Sequence, residues 1–304
     1  MSLDAAMRDA CAAVGILPPR RDPVPGRWTP CPVGGKAASN TSGRVLVAVD
    51  GRSGVAWNHV TGQHVRFTAD GPAGAAPPAM RRDPEHDRRI EAERRETAAI
   101  CARILKAAVQ EPHPYLERKG FPAEVGLVTN APLACVPDTP HGRAVAASIP
   151  KASPLLIVPG RIGRELTTLQ LIDAAGAKKN LYGGRMLGSS HRIATGHETW
   201  VCEGIATALS VRAALRLLGR SATVLCAFSA SNVESVARAH PGALIAADND
   251  KPLPQFGGMG TGEFFARRSG CAWVMPPERG DWNDHHQAHG LREVAMLLRE
   301  VRPA

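Results

Sequence analysis

Apolar and polar positions change their spacing several times along this chain, and each change marks a region. In residues 1–75, apolar positions recur at helical spacing from Leu3 to Val14. Short strand-like runs follow at Val45–Val49, Val55–Trp57 and His64–Phe67, separated by glycine-containing turns, which predicts a small β-rich unit. Pro72, Pro77 and Pro78 break any regular element, so Ala69–Pro84 reads as a linker. Within 76–110 that linker leads into one long helix, Arg81–Gln110, charged at first and richer in Ala, Ile and Leu later. Its mixed Arg/Glu run fits a solvated face with i,i+4 pairs.

Residues 111–196 read as short strands and turns with many basic side chains. Leu155–Val158 and Leu166–Ile172 are strands, Asp173–Gly176 is a hairpin turn, and Lys178–Arg185 carries the return strand into a glycine turn. From 197 to 304 strands and helices alternate. Strands at Thr199–Cys202, Ala222–Phe228, Ala243–Ala247 and Cys271–Met275 are interleaved with helices at Ala206–Leu218, Asn232–Ala239 and Glu263–Ser269, and a last helix spans Leu291–Val301. Such alternation requires crossover connections, hence a parallel sheet covered by helices on both faces. The expected fold class is α/β, with a basic α+β domain and the β-rich unit preceding that sheet.

The 304 residues leave room for about two domains. A formal charge of +9 favours a polyanionic partner, most simply nucleic acid. No apolar run is long enough to span a bilayer, and Met1-Ser-Leu-Asp-Ala lacks a signal-peptide pattern, so no membrane partner and a cytoplasmic location are expected. None of the seven cysteines forms a C-x₂-C or C-x₄-C pair, so no zinc is expected. Aromatic content of 4% argues against extensive base-stacking surfaces; Trp28 and Trp57 are candidates for stacking, or for the core of a small domain.

The chemistry concentrates at two strand ends. Trp200-Val-Cys-Glu203-Gly204 and Ala243-Leu-Ile-Ala-Ala-Asp248-Asn-Asp250 each run from apolar residues abruptly into acid. Carboxyl ends of parallel strands line one crevice. Glu203, Asp248 and Asp250 delivered there suit Mg²⁺ (or Mn²⁺), a hard ion with oxygen ligands that also holds phosphates. Taken singly, each acid also reads as a helix cap or turn residue. No G-x-x-x-x-G-K-[ST] occurs, which excludes a P-loop nucleotide site. His285 and His289 share a face if helical, which fits either zinc beside the nearby acids or ordinary exposed histidines.

An acid-glycine after the first strand and D-x-D after the third resemble the Toprim signature of bacterial-type primases, topoisomerases and some nucleases. Glu203-Gly-Ile-Ala-Thr-Ala208 is similar to the E-G-Y-A-T-A motif of primases from conjugative plasmids, integrative elements and satellite phages, with Ile205 in place of the aromatic residue. His113-Pro-Tyr115-Leu-Glu-Arg118-Lys119-Gly120 resembles the Y-L-x-x-R-G segment of the primase core, with Lys119 replacing arginine. Leu169–Asp173 through Gly183-Gly184-Arg185 resembles the strand, turn and G-G-R of its basic ridge. Gly280-Asp281-Trp-Asn-Asp284 resembles the G-x-D-x-N-D segment downstream. The resemblance spans about residues 110–290.

It implies a DNA primase that makes short RNA primers on a single-stranded DNA template from ribonucleoside triphosphates, with a separate replicative helicase as partner. In that reading 111–196 is the primase-core subdomain and 197–304 the Toprim domain. Glu203, Asp248 and Asp250 are catalytic metal ligands, and Asp281 and Asp284 add further metal contacts. Arg118, Lys119, Lys178, Lys179, Gly183, Gly184, Arg185 and Arg192 bind nucleotide or DNA. Residues 1–75 form a zinc-less unit for template binding. Tyr115 and Tyr182, the two tyrosines, fall inside these motifs and need no covalent role. A Toprim nuclease and a non-catalytic single-stranded-DNA-binding protein are the alternatives.

Overall fold

The computed structural model describes residues 1–37, 40–49, 51–69 and 84–302. Positions 70–83 of the expected linker, and with them the expected start of the long helix, lie outside the described residues. The chain forms two units: residues 1–82 with 252–259, and residues 83–251 with 260–304.

In the first unit, helix α1 (Leu3–Ala13) starts at Ser2, whose side chain accepts a hydrogen bond from the Ala5 amide at 3.2 Å. An antiparallel sheet follows in the order β1 (Trp28–Cys31), β2 (Gly43–Val47), β3 (Ser53–Asn58), β4 (His64–Thr68). Met7, Ala10, Cys11 and Val14 lie at i, i+3, i+4, i+7, the spacing that puts them on one helix face. They pack with Val45, Ala56 and Phe67. The tryptophans are not core: Trp28 is 45% and Trp57 36% exposed, with ring centroids 6.0 Å apart. Trp28 stands opposite Leu46 and Trp57 opposite Arg44 in the antiparallel register, so both use positions on the face away from Val45.

The second unit begins with α2 (Pro84–Lys106). The helix expected to reach Gln110 stops at Lys106, because Val109–Pro112 forms β5 and pairs with β6 (Val125–Thr129). Pro112 and Pro114 cannot continue a helix, and each disfavours helical backbone in the residue before it. Between these strands lies α3 (Pro114–Arg118), followed after β6 by α4 (Pro140–Ser148). β7 (Leu155–Ile162), β8 (Glu165–Asp173) and β9 (Lys178–Asn180) complete an antiparallel sheet in the order β5-β6-β7-β8-β9.

The next strands build the second sheet of this unit: β10 (His191–Ala194), β11 (Glu198–Cys202), β12 (Ala222–Cys226), β13 (Leu244–Ala246) and β14 (Ala272–Val274), in the order β10-β12-β11-β13-β14. β11 to β14 are parallel, as the alternation predicts. β10 adds an antiparallel edge, too short to be read from periodicity. Helices α5 (Ile205–Leu217), α6 (Ala230–Arg238), α7 (Thr261–Ser269), α8 (Trp282–His289) and α9 (Leu291–Arg299) cover the two faces. Trp200 and Cys202 point to the face that packs Leu209 of α5, Trp282 of α8 and Leu298 of α9, while Val201 points to the face that packs Val233 of α6 and Ala266 of α7. Burial on both faces makes the second half of β11, Trp200–Cys202, apolar, and the next acid, Glu203, comes only where the strand ends.

Candidate functional site

Cys202 ends β11, and Glu203 follows in a tight connection to α5. The Glu203 carbonyl accepts the Phe228 amide at 2.7 Å, and Phe228 takes φ 70°, a left-handed conformation uncommon for a residue with a side chain. This ties the ends of β11 and β12 together. Gly204 is the N-cap of α5, and a Cβ built there would lie 3.6 Å from the Lys178 ammonium, so β9 delivers a cation directly over the acid-bearing turn.

Asp248 and Asp250 follow β13. Thr207 donates its hydroxyl to Asp248 Oδ1 at 3.4 Å, and the Gly262 amide in the first turn of α7 donates to Asp250 Oδ2 at 2.9 Å. The first turn of α7 lies directly on the D-x-D backbone: a Cβ on Gly262 would sit 2.3 Å from the Asp248 carbonyl oxygen, and one on Gly260 2.6 Å from that of Asp250. Asn249 exchanges backbone hydrogen bonds with Gly280 at 2.9 and 3.0 Å and donates its side-chain amide to the Pro276 carbonyl at 2.9 Å. Thr207, Gly260, Gly262 and Asn249 are the positioning residues that sequence reasoning missed. The G-x-G at the start of α7 and the Thr in the A-T-A run are the signals that were present.

The Asn249–Gly280 ladder brings Asp281 to the same place. Asp281 caps α8, its Oδ1 accepting the Asp284 amide at 2.8 Å, while Asp284 Oδ2 accepts the Asp281 amide at 3.2 Å. The two acids expected as metal contacts thus form a reciprocal capping box. Asp284 also meets Lys119 Nζ at 3.6 Å. Asn283, buried between them, donates to the Lys119 carbonyl at 2.8 Å and the Ser210 hydroxyl at 3.1 Å.

Burial pushes Asp248 well above the usual carboxylate range, and Glu203, Asp281 and Asp250 push it further, while Lys178 pulls it down. Four carboxylates therefore share one field with too little positive charge to balance it, the condition a divalent cation relieves. An all-oxygen donor set fits a hard ion such as Mg²⁺.

The basic residues divide. Arg118 donates to the Ala174 carbonyl in the β8–β9 turn and lies 5.7 Å from the Tyr115 ring centroid; Lys178 Nζ lies 5.8 Å from the same ring. Arg118, Lys119 and Lys178 therefore gather around Tyr115 beside the acids. Burial raises the Tyr115 phenol to about 12, with Lys119 and Arg118 opposing. Lys179 pairs with Leu171, whereas Lys178 pairs with Ile172, so successive side chains point to opposite faces and Lys179 is turned away from Tyr115. Gly183 and Gly184 let the chain approach protein rather than leave open space: a Cβ on Gly183 would lie 2.8 Å from Thr97 Oγ1 of α2, and one on Gly184 2.7 Å from Thr168 Cβ. Arg185 is exposed after them. Arg192, also exposed, lines a separate cavity of about 960 Å³ with Arg161, Arg164, His191 and His240.

His285 is not the exposed histidine of a terminal helix. It is 6% exposed, with His289 beside it at a ring-centroid distance of 4.5 Å.

Among the described residues, no helix is long and apolar enough to cross a membrane. Solved structures resemble the chain, among them three that contain primase domains. The DnaG primase catalytic domain bound to ssDNA superposes with a TM-score of 0.44 at 11% identity, covering 72% of this chain and 81% of that one. The primase fragment of the bacteriophage T7 primase-helicase protein gives 0.40 at 11%, covering 86% and 95%. A chain from the structure of bacteriophage T7 lagging-strand DNA polymerase interacting with primase domains gives 0.37 at 13%, covering 52% and 82%. Residues 198–292 match the family model described as a Toprim domain. With Glu203 at the end of β11 and Asp248-x-Asp250 after β13 of a parallel, helix-covered sheet, the C-terminal part of this chain is a Toprim domain.

Proposed function

We propose that this chain is a DNA primase that synthesises short RNA primers on single-stranded DNA by metal-dependent nucleotidyl transfer, of the type found in plasmids, integrative elements and satellite phages. The observation that carries the reading is the meeting of cations and acids from separate segments: Lys178 of β9, with Arg118 and Lys119 at the end of α3, beside the Glu203, Asp248 and Asp281 carboxylates. Acids alone serve hydrolysis as well as polymerisation. Cations positioned beside them by the preceding basic subdomain, residues 111–196, suit a triphosphate.

Glu203, Asp248 and Asp250 would hold Mg²⁺ or Mn²⁺. When bound, the ion lowers the pKa of an attacking hydroxyl and neutralises charge on the phosphate and the departing pyrophosphate. Lys178, over the Glu203–Gly204 turn, would neutralise phosphate oxygens next to the acids. Arg118, braced by the Ala174 carbonyl and the Tyr115 ring, is a rigid donor for a triphosphate. Lys119 is partly committed to Asp284 and acts as a point charge. Lys179, Arg185 and Arg192, exposed away from the acids, would contact the template backbone. In residues 1–75, the exposed pair Trp28 and Trp57, with His59 at 4.3 Å from Trp57, offers ring faces on which unpaired bases stack. Strand opening would come from a separate helicase.

Incubation with single-stranded DNA, labelled ribonucleotides and Mg²⁺ or Mn²⁺ tests this. Short oligoribonucleotides, lost in Asp248→Ala and Glu203→Ala while salt-sensitive DNA binding persists, support the reading. DNA cleavage without ribonucleotide incorporation supports a nuclease instead, and binding with neither activity supports a non-catalytic role.

A further inference from the structure

Helix α8 carries histidines four residues apart, and its partner acid comes from the loop before it. His289 Nε2 lies 3.1 Å from Glu278 Oε2, and one ligand atom each from Glu278, His285 and His289 can be chosen with all three within 4.8 Å of one another. In a tetrahedral site with metal–ligand bonds of about 2.0–2.1 Å, neighbouring ligand atoms stand roughly 3.4 Å apart. The Glu278–His289 separation therefore already matches one edge, and the other two ligand-atom pairs lie within 4.8 Å. His285 supplies the independent observation: it is 94% buried by virtue of its 6% exposure, and neither ring nitrogen has a hydrogen-bond partner. A buried imidazole with two idle nitrogens is costly unless something takes a lone pair.

We propose that Glu278, His285 and His289 form a second metal site that takes a borderline divalent transition ion of the Zn²⁺ class. Two imidazoles and a carboxylate favour such an ion over Mg²⁺, which prefers oxygen ligands. The site is reached through a cleft of about 140 Å³ lined by Glu278, Asp281, Asp284 and His285 together with Arg279, so two further carboxylates outweigh the single guanidinium along the entry path. The ion clips the loop before α8 onto the helix and thereby fixes the segment that carries Asp281. None of these three ligands belongs to the proposed primer-synthesis site.

The full chain, purified without a polyhistidine tag, is titrated with Zn²⁺ against a chromophoric indicator in excess Mg²⁺, and with Co²⁺ by visible absorption. One site is expected, with tetrahedral-type Co²⁺ bands, retained in Asp248→Asn. His289→Ala and Glu278→Gln alter exposed positions and keep the fold. Each is expected to weaken Zn²⁺ binding at least about 10-fold to 100-fold, the loss that even an outer partner of a metal ligand produces. Wild-type affinity in His289→Ala, loss of the site in Asp248→Asn, or no Zn²⁺ uptake by the wild-type chain overturns the proposal.

Discussion

Replacing Gly262 by alanine tests how α7 sets the acidic site. Gly262 takes no left-handed backbone conformation, so the cost is steric rather than torsional. Its added Cβ would stand 2.3 Å from the Asp248 carbonyl oxygen and 2.9 Å from the Asp248 amide nitrogen, where real Cβ contacts do not fall below 3.0 Å. The Cβ position is fixed by the backbone and the atoms it meets are backbone, so no rotamer relieves the clash, and at least 0.7 Å must come from α7 sliding away from the D-x-D segment. That slide also stretches the 2.9 Å bond from the Gly262 amide to Asp250. Overpacking of this kind costs about 1–3 kcal/mol, against a gain of about 0.5–1 kcal/mol from alanine in a helix. A net loss of roughly 1–2 kcal/mol is expected. A displacement approaching 1 Å at a reacting centre costs on the order of 100-fold in rate. Mn²⁺ binding by electron paramagnetic resonance and primer synthesis are read alongside thermal unfolding. Ile104→Val, on the buried face of α2 against Leu169 and Leu171, serves as a control with a cost of about 0.5–1.5 kcal/mol and no contact with the acids. Comparable destabilisation in both variants, with Mn²⁺ affinity and activity lost only in Gly262→Ala, is the expected result. Full Mn²⁺ binding and activity in Gly262→Ala refutes the reasoning.

Three further outcomes follow from the same geometry. Asp248 is raised above its unfolded value, so the folded state holds the extra proton, and the stability this lends at low pH is lost as pH rises above the ordinary carboxylate range. Without divalent metal, Asp248→Asn should therefore become more stable than the wild type as pH rises, by about 1 kcal/mol near neutrality; urea melts in EDTA with and without excess Mg²⁺ check this, and a gap that ignores both pH and Mg²⁺ contradicts it. The buried Tyr115 hydroxyl has no hydrogen-bond partner, so Tyr115→Phe should change stability by less than about 1 kcal/mol and keep primer synthesis; complete inactivation would reveal a chemical role for the phenol. Arg220 holds Glu198 at 2.7 Å and the Leu298 and Val301 carbonyls at 2.8 and 3.2 Å. Arg220→Ala should cost about 2–3 kcal/mol, below the roughly 3–5 kcal/mol of a fully buried pair because both partners keep some solvent contact; unchanged denaturant melts would show the pair to be dispensable.

The run Trp200-Val-Cys ending in Glu203 and the run Leu244-Ile-Ala leading to Asp248 were legible because a strand buried on both faces admits no charge until it ends. The same reasoning located most of the helices that follow. β10 and α3 escaped it, since four or five residues carry too little periodicity to separate strand, helix and turn. Trp28 and Trp57 were ambiguous because sequence alone does not say which face of a four-stranded sheet α1 covers; the register against Val45 decides that.

By itself, then, the sequence determined the alternation of β11 to β14 with α5, α6, α7 and α9, and the identities of the acids at two strand ends. These are local properties, written in the spacing of apolar residues. The tertiary structure alone decided which cations meet those acids, because Lys178, Lys119 and Asp281 arrive from separate segments through the β8–β9 hairpin, α3 and the Asn249–Gly280 ladder. It also decided that Gly183 and Gly184 accommodate Thr97 and Thr168, and that His285 is buried beside His289 and Glu278. Contacts between residues distant in sequence depend on packing and register, which no local pattern encodes.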